Sequence, residues 1–311
     1  MIISASRRTD IPAFYSKWFM ERIKEGYCSV PNPFNRKQVS FVSLKPKDVD
    51  VIVFWTRNPT PLIPYLDELD KRGFYYYFQY TVLDNPREID IKSPPLEQSL
   101  KTFKELSEKI GSERVIWRYD PIVISTITPI EFHIRKYERV ARELKGFTNR
   151  SVISIVDKYK KASKRFNDLK KIGIEIIEDE RQDDEQLGCL MGQIVQMAKN
   201  CGFEIFSCSE VLDLARFGVK KGKCIDDIYI RKTFNITVNQ KKDPNQREEC
   251  GCVISKDIGM YDSCLYGCQY CYATQSFTRA EKNFEKHNPK SPSLIGWYDA
   301  TQKDPNQLTL L

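Results

Sequence analysis

Histidine is nearly missing from this chain. Only His133 and His287 occur in 311 residues. That scarcity argues against histidine acid–base catalysis and against histidine-rich metal sites, including those of barrel-type metal-dependent hydrolases. His133 falls inside a helical pattern and reads as structural. Glycine is also sparse, at 14 residues, and no glycine-rich phosphate cradle is present. A P-loop or dinucleotide-binding fold therefore has no support. No apolar run approaches the roughly 20 residues of a membrane span. The first residues, from Met1 onward, enter a strand-like run with no signal-peptide pattern. The expectation is a cytoplasmic protein without a membrane partner. Net charge is only +7, which permits an anionic partner without marking a nucleic-acid binder. The lysine-rich run over 158–165 reads as a solvated helix face.

Cysteine, by contrast, is plentiful. There are ten, and eight follow residue 200. Disulfide frameworks belong mainly to small secreted domains, so this clustering favours metal. Cys28, Cys189 and Cys201 stand outside tight motifs and read as buried thiols. Cys264, Cys268 and Cys271 form a C-x3-C-x2-C run, with Tyr270 before the last cysteine. Three such thiolates can hold three irons of a [4Fe–4S] cluster and leave the fourth iron open for a small molecule. Gly267 would allow a sharp backbone turn between ligands. The competing reading is a zinc knob built from Cys268, Cys271, Cys250 and Cys252. Cys208, Cys224, Cys250 and Cys252 are also candidates for a second metal centre, either an auxiliary cluster or zinc.

Strand-like runs occur at Ile2–Ser6, Val51–Thr56, Tyr75–Val82, Arg114–Tyr119, Ser151–Val156 and Glu204–Cys208. Several are almost continuously apolar, as in strands buried on both faces. Amphipathic helical patterns lie between them at Pro95–Ile110, Pro129–Leu144, Lys160–Ile172 and Asp184–Asn200. The alternation predicts an α/β fold, a partial parallel (β/α)6 barrel of TIM type. Residues 1–235 would form the barrel domain, and 236–311 a cysteine-rich iron–sulfur extension over its mouth. In parallel α/β folds the site lies at the carboxyl ends of strands. Those ends carry Arg7, Arg8, Arg57, Arg118, Ser154 and Asp157, and the arginines favour an anionic group on the substrate.

The run from Tyr261 to Ala273 resembles the cluster loop of radical S-adenosylmethionine enzymes, nearest to the spore photoproduct lyase-like group. Phe54–Pro59, Phe78–Leu83 and Arg118–Ile122 are similar to successive strand ends of those enzymes. With Cys250 and Cys252, most of the chain resembles the domain of unknown function 1848 family. The resemblance implies a [4Fe–4S] cluster on Cys264, Cys268 and Cys271. It also implies S-adenosylmethionine at the open iron, cleaved to a 5′-deoxyadenosyl radical that takes hydrogen from a substrate. Tyr270 would pack near the adenine. Arg57 and Arg118 are candidates for the cofactor carboxylate, and Ser154 and Asp157 for its ribose. The substrate would be a small molecule or nucleic acid with an anionic group, and a flavodoxin or ferredoxin would supply electrons. The family usually carries its cluster loop after the first strand; here it follows the sixth, as in a circular permutation. No Gly-Gly-Glu run is present to hold the amino group, and Ser4, Ser6 and Asp10 are candidates for that role. The alternative function is a non-catalytic iron–sulfur or zinc protein that binds a ligand or nucleic acid.

Overall fold

The computed structural model describes residues 1–157, 159–177 and 184–301. Its centre is one eight-stranded sheet in which every pairing is parallel. The six strands expected from the sequence are present: β1 (Ile2–Ala5), β4 (Val51–Thr56), β5 (Tyr76–Thr81), β6 (Val115–Ile122), β7 (Arg150–Ile155) and β8 (Glu204–Cys208). Short edge strands lie outside them, β9 (Lys220–Gly222) beyond β8 and β10 (Lys256–Asp257) beside β1. The order is β10-β1-β4-β5-β6-β7-β8-β9, and β9 and β10 are not hydrogen-bonded to each other, so the sheet is open rather than a closed barrel. A separate antiparallel hairpin pairs β2 (Tyr27–Pro31) with β3 (Val39–Ser43).

The helices follow the amphipathic patterns closely. They include α2 (Ser16–Glu25), α4 (Leu96–Ile110), α5 (Ile130–Glu143), α6 (Lys160–Lys171) and α7 (Asp184–Cys201), with the short α1 (Ile11–Phe14) and α3 (Leu66–Lys71) before α4. Phe19, Phe103, Tyr137 and Leu190 join Ile3, Phe54, Phe78, Trp117 and Ile153 in the larger core, on one face of the sheet. The opposite face follows from the two-residue period of strands. Ile2, Val53, Tyr77, Ile116 and Val152 pack there against Ile225, Ile230, Val238 and Val253. The cover on that side is α8 (Asp227–Phe234) and the irregular segment to Val253. Along the same face, two residues further on, stand Ser4, Trp55, Gln79, Arg118, Ser154 and Cys208. Apart from β4, which carries Trp55 there, these strands thus change from apolar to polar near their carboxyl ends.

Two readings of single residues need correction. Cys28 is buried, but Cys189 is exposed and Cys201 only partly covered. Cys189 lies on a face of α7 turned from the core, and Cys201 is that helix's last residue. The lysine-rich 158–165 run is not all solvated surface: Arg165 makes several hydrogen bonds to the cysteine loop, and Lys161 lies over the Tyr261 ring at 3.9 Å. Lys158 lies outside the described residues. Among the described residues, no helix is long and apolar enough to cross a membrane.

Candidate functional site

The polar strand ends surround a cavity of about 470 Å³, within the usual size range for cofactor sites. Seven of the ten cysteines line it: Cys264, Cys268 and Cys271 from the sequence motif, and Cys208, Cys224, Cys250 and Cys252 from elsewhere. Arg57, Arg118, Ser154, Asp157 and Tyr270 line it too. The sequence-derived candidates therefore meet at one place. Ser6 and Asp10 also reach the cavity, whereas Ser4 is not among the residues lining it.

The three-cysteine loop leaves the carboxyl end of β10, beside β1. Its own backbone closes it, because the Asp262 N–H donates to the Ala273 carbonyl at 3.1 Å and the Cys271 N–H to the Cys268 carbonyl at 3.1 Å. Gly267 takes a positive φ of 70°, a conformation that disfavours side chains. The loop docks on the segment after β5: the Lys92 N–H donates to the Tyr266 carbonyl, and the Gln269 N–H to the Ile89 carbonyl. From α6, Arg165 donates to the carbonyls of Gln269 at 2.7 Å, Thr274 at 2.9 Å and also Cys271. Burial pushes the Cys264 thiol up to about 12, with nearby Cys271 and Asp10 acting in the same direction. Burial also raises Cys268, against the pull of Arg57. Such a donor set needs a cationic centre to hold it as thiolate.

Behind the loop lies a buried ionic group that the sequence did not reveal. Asp90 pairs with Arg57 (3.3 Å) and accepts from the Tyr270 hydroxyl at 2.9 Å and from Asn85 at 2.9 Å. Arg57 also donates to Tyr270 and to Ser93. Asp90 belongs to no motif, so only the folded loop brings it to this place. Asp10 has its carboxyl raised to about 7 by burial, although the Arg57 and Ala13 backbone N–H groups favour its charged form.

At β1, the Asp257 carboxylate of β10 accepts from Ser4 (2.5 Å), Ser6 (2.8 Å), the Arg7 N–H (2.8 Å) and the Gly259 N–H (2.9 Å). Ser4 and Ser6 are thus committed to joining β10 to β1. The other polar ends are paired as well. Arg118 donates to Asp120, which also accepts from Ser154, and Arg247 donates to Asp157 at 2.7 Å. Three buried polar atoms on cavity-lining residues lack a protein partner: Arg7 Nη2, Thr9 Oγ1 and Tyr266 Oη. Buried polar atoms are normally hydrogen-bonded, so these three suit a polar ligand.

The other four cysteines lining the cavity belong to or pack on the core cluster of the sheet's second face. Cys224, Cys250 and Cys252 are buried within it, and Cys208 packs against it. Arg118 Nη1 donates to Cys224 Sγ at 2.9 Å, and the Ile225 N–H to Cys252 Sγ at 3.4 Å. The hydrogen bonds from Cys208, Cys252 and Arg118 hold the Cys224 thiol well below its ordinary range. Cys250 and Cys252 thus associate with Cys224 and Cys208, while Cys268 and Cys271 interact electrostatically with Cys264. Among the described residues, no three His, Cys, Asp or Glu side chains already stand arranged around a metal ion. His133 is structural, bonded to the Tyr119 hydroxyl at 3.0 Å and the Val123 carbonyl at 3.0 Å.

No curated protein and no solved structure showed a significant match to the chain. A family profile does match, over residues 2–273, a span that holds every strand of the sheet and all seven cavity cysteines. The chain belongs to the family described as Domain of unknown function (DUF1848).

Proposed function

We propose that this protein is a radical S-adenosylmethionine enzyme whose [4Fe–4S] cluster is held by Cys264, Cys268 and Cys271. One observation carries the reading: a C-x3-C-x2-C loop opens onto the cavity where the carboxyl ends of a parallel sheet converge. The position of β10 supports it further. The loop follows a strand that lies parallel beside β1, so a motif late in sequence stands at the start of the sheet in space. We read the sheet as a partial (β/α)6 barrel of TIM type, with the loop over its mouth.

When bound, the cluster supplies one-electron chemistry at an open iron, here cleavage of S-adenosylmethionine to a 5′-deoxyadenosyl radical. The protein's part is to orient and enclose. Tyr270 is fixed by Asp90 and Arg57, which gives a rigid wall for the adenine. Thr9 and Tyr266 have unspent polar atoms for the cofactor. Ser154, Asp157 and Arg118 also line the cavity and would be available to the ribose, the carboxylate or the substrate. Arg57 and Arg118 are already paired with carboxylates, which leaves Arg7 Nη2 as the open donor for an anionic group on a small-molecule or nucleic-acid substrate. All ten cysteines are free, which suits a reducing cytoplasm and an electron donor such as a flavodoxin or ferredoxin.

The test is anaerobic reconstitution with iron and sulfide, followed by reductant and S-adenosylmethionine. The expected product is 5′-deoxyadenosine, read by chromatography. A fully loaded cluster that yields none would leave the alternative, a non-catalytic iron–sulfur protein.

A further inference from the structure

We propose that Cys208, Cys224, Cys250 and Cys252 form a second metal site that takes one thiophilic divalent ion, with zinc the best fit. The inference does not rest on the chemistry proposed for the three-cysteine loop.

The four residues come from three separated places: the end of β8, the turn after β9, and the Cys250–Cys252 pair. The fold holds each of them in position. Tyr77 and Gln79 both donate to the Cys224 carbonyl at 2.8 Å. The Val253 N–H donates to the Ile225 carbonyl at 3.2 Å, which sets Cys252 against Ile225. Gly222 pairs with Cys208 in the sheet, and a Cβ there would come within 2.6 Å of the Ser207 carbonyl oxygen. A larger residue would therefore separate Cys208 from the turn that carries Cys224.

The surroundings suit thiolates. Arg118 and the Ile225 N–H donate to two of the sulfurs, and hydrogen bonds of this kind orient metal ligands. A divalent ion with four thiolates carries two net negative charges, and the Arg118 and Arg7 guanidiniums both lie beside the group. Four protein thiolates suffice for a single ion, whereas an iron–sulfur cluster also needs inorganic sulfide. Sulfurs of a tetrahedral zinc site, at about 2.3 Å from the metal, lie about 3.8 Å from one another, and the four cysteines already share one cluster on this face of the sheet. The thiols do not yet form a closed shell around one point. Binding would draw the four sulfurs together and release the thiol protons.

The ion would also explain how a poorly apolar cover stays in place. Of α8 only Ile230 is buried, yet this segment closes the second face of the sheet. Four ligands from both sides of α8 would staple it there.

The test uses full-length protein with Cys264, Cys268 and Cys271 all changed to Ala, which empties the first site. After zinc loading and desalting it should keep about one zinc per chain, and cobalt(II) in its place should give the intense sulfur-to-metal bands of a tetrathiolate. Adding Cys224→Ser or Cys252→Ser should remove both signals. Should these variants fold poorly, zinc can be added to wild-type apoprotein before alkylation and peptide mass analysis. Protection confined to Cys208, Cys224, Cys250 and Cys252 is expected. No stoichiometric zinc in the triple variant, equal alkylation with and without zinc, or iron with inorganic sulfide at this site would each overturn the proposal.

Discussion

The cavity has two groups of cysteines, and they are built by opposite means. Cys264, Cys268 and Cys271 come from one short loop that closes on its own backbone and is then gripped from outside by Arg165 and the segment after β5. Cys208, Cys224, Cys250 and Cys252 come from distant segments that the fold gathers into one cluster. In the first group, local spacing determines the ligands and the fold determines only where they point. In the second, the fold determines everything. Damage should therefore have different consequences: loss of chemistry in the loop, and loss of a covering layer at the other group.

The largest contrast should come from Cys268→Ala. It should abolish 5′-deoxyadenosine formation and cluster absorbance while lowering stability by only about 1 kcal/mol, the cost of losing a small buried group. A collapse of the urea midpoint in the cluster-free variant would erase the distinction. Next in size is Asp90→Ala, which leaves Arg57 buried without its carboxylate. Breaking such a pair costs about 3–5 kcal/mol, and the loop should loosen because Tyr270 loses a partner. Equilibrium unfolding with and without iron would measure both.

A control lies away from both groups. Burial lowers the His133 pKa to about 4, below the ordinary value of about 6.5. The unfolded chain therefore binds this proton more readily. Stability from the buried neutral ring is fully present above pH 6.5 and is lost as pH falls toward 4, by about 3 kcal/mol in all. His133→Gln should flatten that part of the profile in unfolding measured between pH 7 and 4.5. An unchanged slope would assign the acid sensitivity elsewhere. The smallest effect should follow Arg165→Met. Losing charged donors to loop carbonyls costs about 2 kcal/mol, localised to the loop. Faster amide exchange over 262–275 with little change in global unfolding is the expected signature, and an unaltered exchange rate there would show that the loop holds itself.

What could be read in advance follows the same division. The six long strands and helices α4 to α7 declared themselves through apolar runs and helical periodicity. The hairpin β2–β3 did not, and β10 has just two polar residues, Lys256 and Asp257, with no period to detect. Its place comes from the Asp257 carboxylate, which collects donors from β1. Helix α8 is short, and its signal was the Asp226 cap, which accepts from the N–H groups of Ile228 and Tyr229. The strand-end arginines were visible as residues, but of their pairs only Arg118 with Asp120, two residues on, could be foreseen; Asp90 gave no hint that it would hold Arg57, nor Asp157 that it would engage Arg247.

The edge position of β10 has a consequence for biosynthesis. A ribosome makes β1 and the six strands that follow it in the sheet before it reaches Asp257. The bowl is thus translated first and its lid-bearing loop afterwards, although the two are neighbours in space. A nascent chain stalled before Gly259 would carry the four-cysteine group complete and the three-cysteine loop not at all. The order of translation alone would let one site take up its metal before the other exists.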